Sequence, residues 1–435
     1  MNSGIVERSN KDMTDIKGNE VLVEVNNLKK YFDTSEGFID SLIGKSSNPV
    51  KAVDDVSFQI PRGKTLGVVG ESGCGKSTLA KTVLNIATAT GGEVLFEGSN
   101  IFELNKKELK QFRSNAQMIY QDPFSSVNPR MTIGDIIREP LDIHDRGTEE
   151  ERQNRVIELL ERVGLSKEQI DRYPNEFSGG QLQRVCIARS LTLEPELLVL
   201  DEPVASLDVS VQAQVLNLLK ELQNDFDLTC LFIAHDLSVV NFISDIVGVM
   251  YLGKVVEIGP SEQLFKNPSH PYTKSLLNNI PRPSPEEYHR TIETLSGSVP
   301  SPRDPPSGCN FRTRCPSIIP PEQYNFDQDT WRSVASFREH FIEGNKETRS
   351  RLVETGKSDE LRTVIKERWG VPETLSDPNA EAELEKALTS ILNRDFIRAE
   401  KKLKNEFMSP CEIQEPELRS IDGVDYTQGS CLLLD

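Results

Sequence analysis

Long apolar segments are missing from this sequence. A helix needs about 20 consecutive apolar residues to span a bilayer, and no stretch of the 435 residues approaches that length. The opening "MNSGIVERSNKDMTDIKGNE" has no basic segment followed by an apolar core, so nothing in it marks secretion. We expect a soluble chain with a disordered N-terminus over 1–20, and any membrane role must come through a partner.

Positive charge is also scarce. The sequence has 50 Lys and Arg against 68 Asp and Glu, which gives a formal net charge of −18. Binding to a nucleic-acid backbone needs a concentrated Lys/Arg surface, so this balance argues against a nucleic-acid partner. The seven cysteines, an odd number in a long chain, argue against a disulfide framework. The absence of an internal repeat argues against a solenoid.

From Val21 onward the sequence alternates apolar strands with amphipathic helices. "LLVLDEP" and "LTCLFIAHD" are near-continuous apolar runs, which are typical of buried strands in a mainly parallel sheet. Between such runs, "ERQNRVIELLERVGL" and "VQAQVLNLLKELQNDF" repeat apolar residues at helical spacing. The pattern predicts an α/β domain over 21–265.

The rest of the chain has a different composition. Four prolines between Pro300 and Pro306 predict an extended connector. The best helical pattern beyond it is "NAEAELEKALTSILNRDFIRAEKKLKNEF", which predicts one helix. We divide this part into an extension with its Pro-rich linker over 266–316, a helical segment over 317–405 and a terminal tail over 406–435.

The strongest chemical signal is "GESGCGKST", which satisfies G-x-x-x-x-G-K-[ST] between the strand "TLGVV" and the helical "STLAKTVLNI". The glycines let backbone N–H groups turn inward around a phosphate, the lysine supplies a cation, and the following hydroxyl can bind Mg²⁺. A chance glycine-rich turn is the alternative, and the flanking strand and helix argue against it. The predicted nucleotide-binding residues are Gly70, Glu71, Ser72, Gly73, Cys74 (a small filler), Gly75, Lys76, Ser77 and Thr78.

A second element is the end of "LLVLDEP". A strand that ends in two carboxylates can deliver Asp201 to the Mg²⁺ shell and place Glu202 to polarise an attacking water. Such an ending alone usually marks only a solvated strand end. Because it follows a phosphate loop, it indicates a nucleotide hydrolase.

Further motifs, in order along the chain, resemble those of ATP-binding cassette (ABC) proteins. "FSGGQLQRVCIARSL" is similar to the family's signature motif, with Phe177 in place of the usual leucine, and "YQDP", "ASLD" and "IAHD" fall in family order. The resemblance implies a P-loop NTPase cassette with a RecA-like core, an antiparallel β subdomain and a helical subdomain. A C-terminal extension with a helical insertion would follow that cassette. The family also implies a head-to-tail pair of cassettes that close over two nucleotides.

The same resemblance implies residue roles. Gln121 would sense Mg²⁺ and the attacking water, and His235 would hold the γ-phosphate and orient Glu202. An aromatic residue before the phosphate loop would stack on adenine; "LKKYF" offers Tyr31 and Phe32, and motif register favours Phe32. The signature residues would face the γ-phosphate of the nucleotide held by the opposite subunit; they are Ser178, Gly179, Gly180 and Gln181. Asp208, the aspartate of "ASLD", is also assigned to the nucleotide. For the signature "SGGQ" the alternative is an ordinary helix cap. For His235 it is a histidine at a strand end whose hydrogen bonds are satisfied within the protein.

Beyond the cassette, "NPSHPYTKSLLNNIP" and "SGCNFRTRCP" resemble the C-terminal region of oligopeptide and dipeptide importer ATPases. The family's next two cysteines are missing after Pro316 and return in "CEIQEPELRSIDGVDYTQGSC", so 317–405 is interpreted as an insertion. Four cysteines without a partnering histidine suit a soft metal or an iron–sulfur cluster, and the C-x2-C pairs usual for zinc are absent. The resemblance favours a 4Fe–4S cluster, with zinc or unrelated thiols as alternatives. The residues are Cys309, Cys315, Cys411 and Cys431.

The family resemblance implies a function. The chain would be an ATPase subunit that couples binding and hydrolysis of ATP with Mg²⁺ to uptake of oligopeptides or dipeptides. Its partners would be a sister ATPase in a heterodimer, two transmembrane permease subunits and an extracytoplasmic solute-binding protein, at the cytoplasmic side of the cell membrane. Import of another solute, such as a nickel chelate or an oligosaccharide, is the alternative. A soluble cassette acting on nucleic acid or ribosomes is disfavoured by the single cassette, the acidic charge and the importer-type tail.

Overall fold

Residues 20–33, 48–279, 295, 297–352, 358–421 and 427–434 are described by the computed structural model. The chain divides into two units, Met1–Phe265 and Lys266–Asp435. The N-terminus expected to be disordered, up to residue 19, and much of the expected Pro-rich connector, at 280–294 and 296, lie outside the described residues. None of the helices in the described part of the chain is long and apolar enough to cross a membrane.

The first unit contains two sheets. Its strands are β1 Val21–Phe32, β2 Val50–Pro61, β3 Thr65–Val69, β4 Gly91–Phe96, β5 Ser99–Asn100, β6 Ala116–Ile119, β7 Leu197–Asp201, β8 Thr229–Ala234, β9 Ile246–Tyr251 and β10 Lys254–Pro260. One sheet is antiparallel, in the order β2-β1-β4-β5. In the other, the parallel strands lie in the order β9-β3-β8-β7-β6, with β10 antiparallel to β9. Every residue of β3, β7 and β8 is buried, which explains their unbroken apolar sequences.

Nine helices are described in or beginning in this unit: α1 Lys76–Val83, α2 Lys106–Asn115, α3 Pro123–Ser126, α4 Ile133–His144, α5 Glu149–Arg162, α6 Gly179–Leu191, α7 Val209–Phe226, α8 Leu237–Ile243 and α9 Ser261–Lys266. Four of them, α3 to α6, lie between β6 and β7 and form the helical subdomain. Capping boxes at Thr132 and Thr148 begin α4 and α5, because each hydroxyl accepts from a backbone N–H three residues on. The α/β cassette fold expected from the sequence is confirmed.

The second unit is mainly helical in its described part. Its helices are α10 Pro271–Asn278, α11 Gln328–Glu343, α12 Lys346–Arg351, α13 Ser358–Trp369, α14 Pro378–Leu392, α15 Phe396–Glu406 and α16 Pro410–Ile413, and the short strands β11 Arg419–Ser420 and β12 Gln428–Gly429 pair with each other. Trp331, Phe337 and Phe341 on α11 are fully buried. Burial of each such side chain stabilises the fold by about 1.5–3 kcal/mol, so α11 is the central helix of the segment 317–405 that was expected to be an insertion.

The single helix expected over 379–407 is wrong. The segment forms two helices, α14 and α15, that pack against each other. Arg394 between them has a left-handed backbone, with φ 57°, and the side chain of Asp395 accepts from the backbone N–H of Arg398 to begin the second helix. The apolar periodicity continues across this break because both helices turn an apolar face to the same core.

His270 anchors the start of α10 in the second unit. It is 1% exposed, and its Nδ1 accepts the backbone N–H of Tyr272 at 3.0 Å. Its ring lies 5.8 Å from that of Phe311, and the Tyr272 and Phe311 rings are 5.2 Å apart. Burial lowers the pKa of His270 to about 3, so this histidine is neutral in the folded protein at neutral pH.

We expect His270 to make the stability of the second unit depend on pH. The unfolded chain takes up a proton at this side chain near pH 6.5, whereas the folded chain does not until near pH 3. The free energy of unfolding is therefore unaffected above pH 6.5 and falls by about 1.4 kcal/mol per pH unit below it. Denaturant titrations between pH 7.5 and pH 5, followed by tryptophan emission, measure this slope. His270→Asn, which keeps an N-cap acceptor, should show a shallower slope, and equal slopes would contradict the assignment.

Candidate active site

The phosphate loop joins the end of β3 to the start of α1. Gly75, which precedes the helix, has φ 109°. A Cβ at this position would lie 1.9 Å from the carbonyl oxygen of Ala52, and one at Gly70 would lie 2.1 Å from that of Met250. Neither position can hold a larger residue without moving backbone, so these two glycines are required by close approach of neighbouring strands.

Lys76 places a buried cation inside this loop. The residue is 4% exposed, and its Nζ donates to the carbonyl oxygens of Gly70 at 2.8 Å and Glu71 at 3.1 Å. Cys74 is buried with its Sγ 3.9 Å from the same nitrogen, and burial raises the pKa of its thiol. Ser72 and Gly73 are exposed at the tip. The loop therefore combines a cation, an exposed glycine-rich backbone and a helix N-terminus, the elements of a phosphate site.

Two of the expected Mg²⁺ ligands, Ser77 at the start of α1 and Asp201 at the end of β7, lie in contact. Ser77 Oγ donates to Asp201 Oδ1 at 2.8 Å, although the residues are 124 positions apart. Asp201 is 4% exposed. Its pKa is raised, because the effect of burial exceeds the lowering effect of the hydrogen bond from the Ser77 hydroxyl. A hydroxyl and a carboxylate oxygen are hard ligands of the kind Mg²⁺ prefers, so this pair fits the ion.

Glu202 brings the three expected catalytic residues together. Its Oε2 lies 3.2 Å from Nε2 of Gln121, which donates to it, and 3.2 Å from Nδ1 of His235. Gln121 follows β6, Glu202 follows β7 and His235 follows β8. The carboxyl ends of parallel strands share one edge of a sheet, which is why residues far apart in sequence converge on one oxygen.

The signature motif begins a helix in the same unit. Ser178 is the N-cap of α6, where it exchanges hydrogen bonds with Gln181 in a capping box. A Cβ on Gly180 would lie 2.3 Å from Cγ1 of Val211, and one on Gly179 would lie 3.6 Å from Cδ2 of Leu207. The small residues of the signature thus let it pack against "ASLD" and the start of α7.

Asp208 also acts as a helix cap. Its side chain accepts from the backbone N–H of Val211 at 3.0 Å and from the hydroxyl of Ser210 at 2.6 Å, and the Ser210 hydroxyl bond is the main cause that lowers its pKa. The residue therefore remains an anion at the start of α7, where the helix dipole favours negative charge. Its contact with a nucleotide stays a prediction.

The two aromatic candidates at the end of β1 have different surroundings. Phe32 is 43% exposed, and Lys30 Nζ lies 4.8 Å from its ring centre. The Tyr31 hydroxyl instead hydrogen-bonds the carboxylate of Asp54, which also pairs with Lys51 at 3.5 Å and Lys254 at 3.6 Å. Phe32 is thus the aromatic face open to a ligand.

Sequence reasoning missed Asp54. It is 8% exposed, and burial raises its pKa while the Tyr31 hydroxyl and two lysines lower it, with a net lowering. An acidic residue in the otherwise alternating strand "AVDDVSF" was the available signal, because a buried carboxylate needs partners. The hydrogen bond to Asp54 fixes the side chain of Tyr31. It therefore also holds the end of β1, where Phe32 lies.

Comparison with known proteins gives three family matches. Residues 53–205 match the model "ABC transporter", and residues 256–320 match "Oligopeptide/dipeptide transporter, C-terminal region". Residues 328–423 match a domain of unknown function. The first model covers the phosphate loop, and the second covers Cys309 and Cys315. The third covers most of the segment 317–405 that was expected to be an insertion.

Full-length relatives decide the family. The oligopeptide transport ATP-binding protein AppF of Bacillus subtilis is 52% identical over 303 residues, which is 69% of this chain and 91% of that protein. OppF of Escherichia coli, with the same description, is 50% identical over 306 residues, 70% of this chain and 91% of its own. The chain belongs to the ABC transporter ATP-binding proteins. A solved structure, cbiO1 from Clostridium perfringens, matches with TM-score 0.49 and 27% identity over 57% of this chain and 92% of its own.

The four cysteines of this ABC protein's C-terminal part are neighbours in the second unit. The backbone N–H of Cys309 donates to the carbonyl of Cys411 at 2.8 Å, and a Cβ on Gly308 would lie 2.4 Å from that same oxygen. The pKa of the Cys309 thiol is raised to about 12, mainly by burial and in part by Cys411 and Cys431. Burial also raises the pKa of Cys315, with contributions from the other three. The segment 317–405 therefore does not keep Cys309 and Cys315 apart from Cys411 and Cys431.

The thiols are close without forming a finished metal site. Within the described residues, no group of three or more His, Cys, Asp or Glu side chains is arranged to hold a metal ion. No disulfide joins any of the seven cysteines, all of which are described. Backbone N–H groups of Phe311 and Arg312 lower the pKa of Cys309, and that of Ser317 lowers the pKa of Cys315. Such donors stabilise negative sulfur, but burial has the larger effect and the pKa of both thiols is raised, so the surroundings favour the protonated thiols and the metal remains a prediction.

We expect Glu202→Gln to abolish turnover while ATP binding is retained. Glutamine keeps the size of the side chain but cannot accept the proton of the attacking water, so the steady-state ATPase rate should fall by about 100-fold or more. The measurement is phosphate release together with the affinity for a fluorescent ATP analogue. Glu221→Gln, an exposed substitution on α7, is the matched control and should hydrolyse ATP at the normal rate. Normal turnover of Glu202→Gln would refute the role given to this carboxylate.

Proposed function

We propose that this chain is the ATP-hydrolysing subunit of an ABC importer that takes up oligopeptides or dipeptides. The observation that supports it most directly is the convergence of Gln121 and His235 on one oxygen of Glu202, next in sequence to the Mg²⁺-binding candidate Asp201. The relatives named oligopeptide transport ATP-binding proteins, at 52% and 50% identity, support peptides as the cargo.

Nucleotide and metal binding are assigned to this chain's own residues. Loop residues 70–78 would surround the phosphates of ATP, and Phe32 would stack on the adenine. Ser77, Asp201 and Gln121 would hold Mg²⁺, which when bound neutralises phosphate charge. The close packing of Gly70 and Gly75 against neighbouring backbone supports a rigid loop that is already shaped for a phosphate.

Catalysis then rests on two side chains with different tasks. Glu202 is 16% exposed at its side chain, whereas His235 is 59% exposed. The more buried carboxylate would accept a proton from water, because its hydrogen-bonding neighbours Gln121 and His235 fix its position. The exposed imidazole would orient that carboxylate and reach toward the γ-phosphate.

Assembly completes the proposal. The signature residues Ser178 to Gln181 would face the nucleotide of a second cassette, in a heterodimer with a sister ATPase. The helical subdomain α3 to α6 would contact two transmembrane permease subunits, and an extracytoplasmic binding protein would deliver the solute. The chain would thus act at the cytoplasmic side of the cell membrane, held there by its partners.

Copurification tests the importer assignment. The tagged chain, isolated from detergent-solubilised membranes of its own source, should carry two permeases and a sister ATPase. Its ATPase rate in that complex should rise when the peptide-loaded binding protein is added, because substrate delivery is coupled to cassette closure. Recovery of the chain with ribosomes instead of permeases would overturn the proposal.

We further propose that Cys309, Cys315, Cys411 and Cys431 hold a 4Fe–4S cluster. All four belong to one unit, and the first and third are joined through backbone at 2.8 Å. An all-cysteine donor set without histidine suits iron–sulfur chemistry. A cluster would also lower the raised pKa values of Cys309 and Cys315, because a cationic metal centre favours thiolate.

Anaerobic purification tests the cluster. The wild-type protein should be brown and contain about four iron and four sulfide per chain, and Cys309→Ser should lose most of both because one ligand is removed. Cys186→Ser, a buried cysteine in α6 of the cassette, is the matched control and should keep them. A colourless protein with stoichiometric zinc would replace the cluster by a zinc site, and a metal-free protein would leave unrelated thiols.

A further inference from the structure

The end of β1 carries two aromatic side chains in different surroundings. Tyr31 is half-buried, whereas Phe32 is exposed. Successive side chains of a strand point to opposite faces of the sheet, so the position of the inner ring determines where the outer ring lies. A contact that holds the Tyr31 side chain therefore also holds the ring to which the adenine is assigned.

The hydrogen-bond ladder between β1 and β2 is irregular just before these two residues. Its register shifts between Leu28 and Lys30, and again between Lys30 and Tyr31. Such irregularities leave residues unpaired and bend the strand locally. The ladder alone therefore gives the last two residues of β1 little support, and side-chain contacts contribute to their position.

Asp54 on β2 supplies such a contact. One oxygen of its carboxylate, Oδ1, accepts a hydrogen bond from the Tyr31 hydroxyl. The other, Oδ2, lies 3.5 Å from Lys51 Nζ and 3.6 Å from Lys254 Nζ. Hydrogen bonds to a charged acceptor are about twice as strong as those between neutral groups. The lysines thus hold one oxygen of a buried carboxylate in place while the other oxygen fixes the tyrosine.

The backbone of the same stretch of β2 is linked to the phosphate loop. The N–H of Asp54 donates to the carbonyl of Gly253 at 2.8 Å, and the N–H of Gly253 donates to the carbonyl of Cys74 at 2.9 Å. Two residues before Asp54, the carbonyl oxygen of Ala52 lies so close to Gly75 that a Cβ there would be 1.9 Å away. This stretch of β2 therefore lies between the loop and the end of β1 and contacts both.

We propose that Asp54 is a positioning residue for the nucleotide, which sets the separation between the ring of Phe32 and the phosphate loop. This role rests on the adenine stacking proposed for Phe32. Base and phosphates belong to one ligand, so their two contacts reinforce each other fully only when ring and loop are already correctly spaced. Asp54 itself does not touch the nucleotide, because it acts through Tyr31 at the ring and through Gly253 at the loop.

Binding of ADP with Mg²⁺ to the full-length protein, measured by titration calorimetry, tests this role without hydrolysis. Stacking of a base on an aromatic ring is worth a factor of about 5 to 150 in affinity, so Phe32→Ala should weaken binding within that range. Asp54→Ala should weaken it by about fivefold or more, because the ring is no longer held. Added to Phe32→Ala, the same change should have almost no further effect, since the ring through which Asp54 acts is gone.

A milder variant and a control complete the set. Tyr31→Phe removes only the hydroxyl and should weaken ADP binding by about threefold or more. If Tyr31 were itself the stacking ring, this variant would bind normally. Asp55→Asn, at the next and exposed position of β2, removes a charge and keeps a side chain that tolerates the left-handed backbone found there, with φ 63°. It should bind ADP as the wild type does.

The outcomes separate this role from the nucleotide site on which it rests. The proposal is overturned if either Asp54→Ala or Tyr31→Phe binds ADP normally. It is also overturned if Asp54→Ala weakens binding equally with and without Phe32, because its effect would then lie in the loop or in the fold as a whole. Normal ADP binding by Phe32→Ala would instead remove the adenine contact and the role of Asp54 together. A wild-type protein that binds no ADP would contradict the nucleotide site itself.

Discussion

The register between β3, β8 and β7 determines where the catalytic side chains lie. Val69 is paired with Ala234, and Asp201 with Ile233, so the loop, Glu202 and His235 leave the sheet side by side. The backbone N–H of Glu202 donates to Ile233 at 2.9 Å, and φ of 47° at this residue ends β7 at once. A slip of one residue would turn each side chain to the opposite face of the sheet and separate the carboxylate from the histidine.

The second unit depends on buried charge. Arg338, which is 3% exposed, joins α11 to the residue after Cys411, and Arg312 joins the first cysteine pair to the same helix. Buried ion pairs add little net stability, but removal of one partner costs about 3–5 kcal/mol because the other charge stays buried. These pairs therefore fix how the cysteine-bearing segments lie against α11. A substitution that breaks one pair should shift the position of the cysteine-bearing segment that it holds.

The sequence predicted the cassette well because its signals are local. Glycine spacing, apolar runs and their terminal acids identify β3, β7, β8 and the phosphate loop, and the family assignment is confirmed. The break at Arg394 could not be predicted, since apolar spacing continues across it. Asp54 was also missed, because its partners Tyr31 and Lys254 lie on other strands and are brought to it only by tertiary packing. The roles of individual site residues remain predictions.

The two ends of the helical segment between Ile319 and Ser409 lie next to each other. Ser409 Oγ donates to the carbonyl of Ile319 at 2.6 Å across 90 positions of sequence. Each doubling of the length of a connecting loop costs only about 0.6 kcal/mol in closure entropy. Burial of the segment's own aromatic side chains on α11 offsets that cost. A helical segment of this length can therefore lie between Ile319 and Ser409 while the cysteine-bearing segments on either side of it stay in contact.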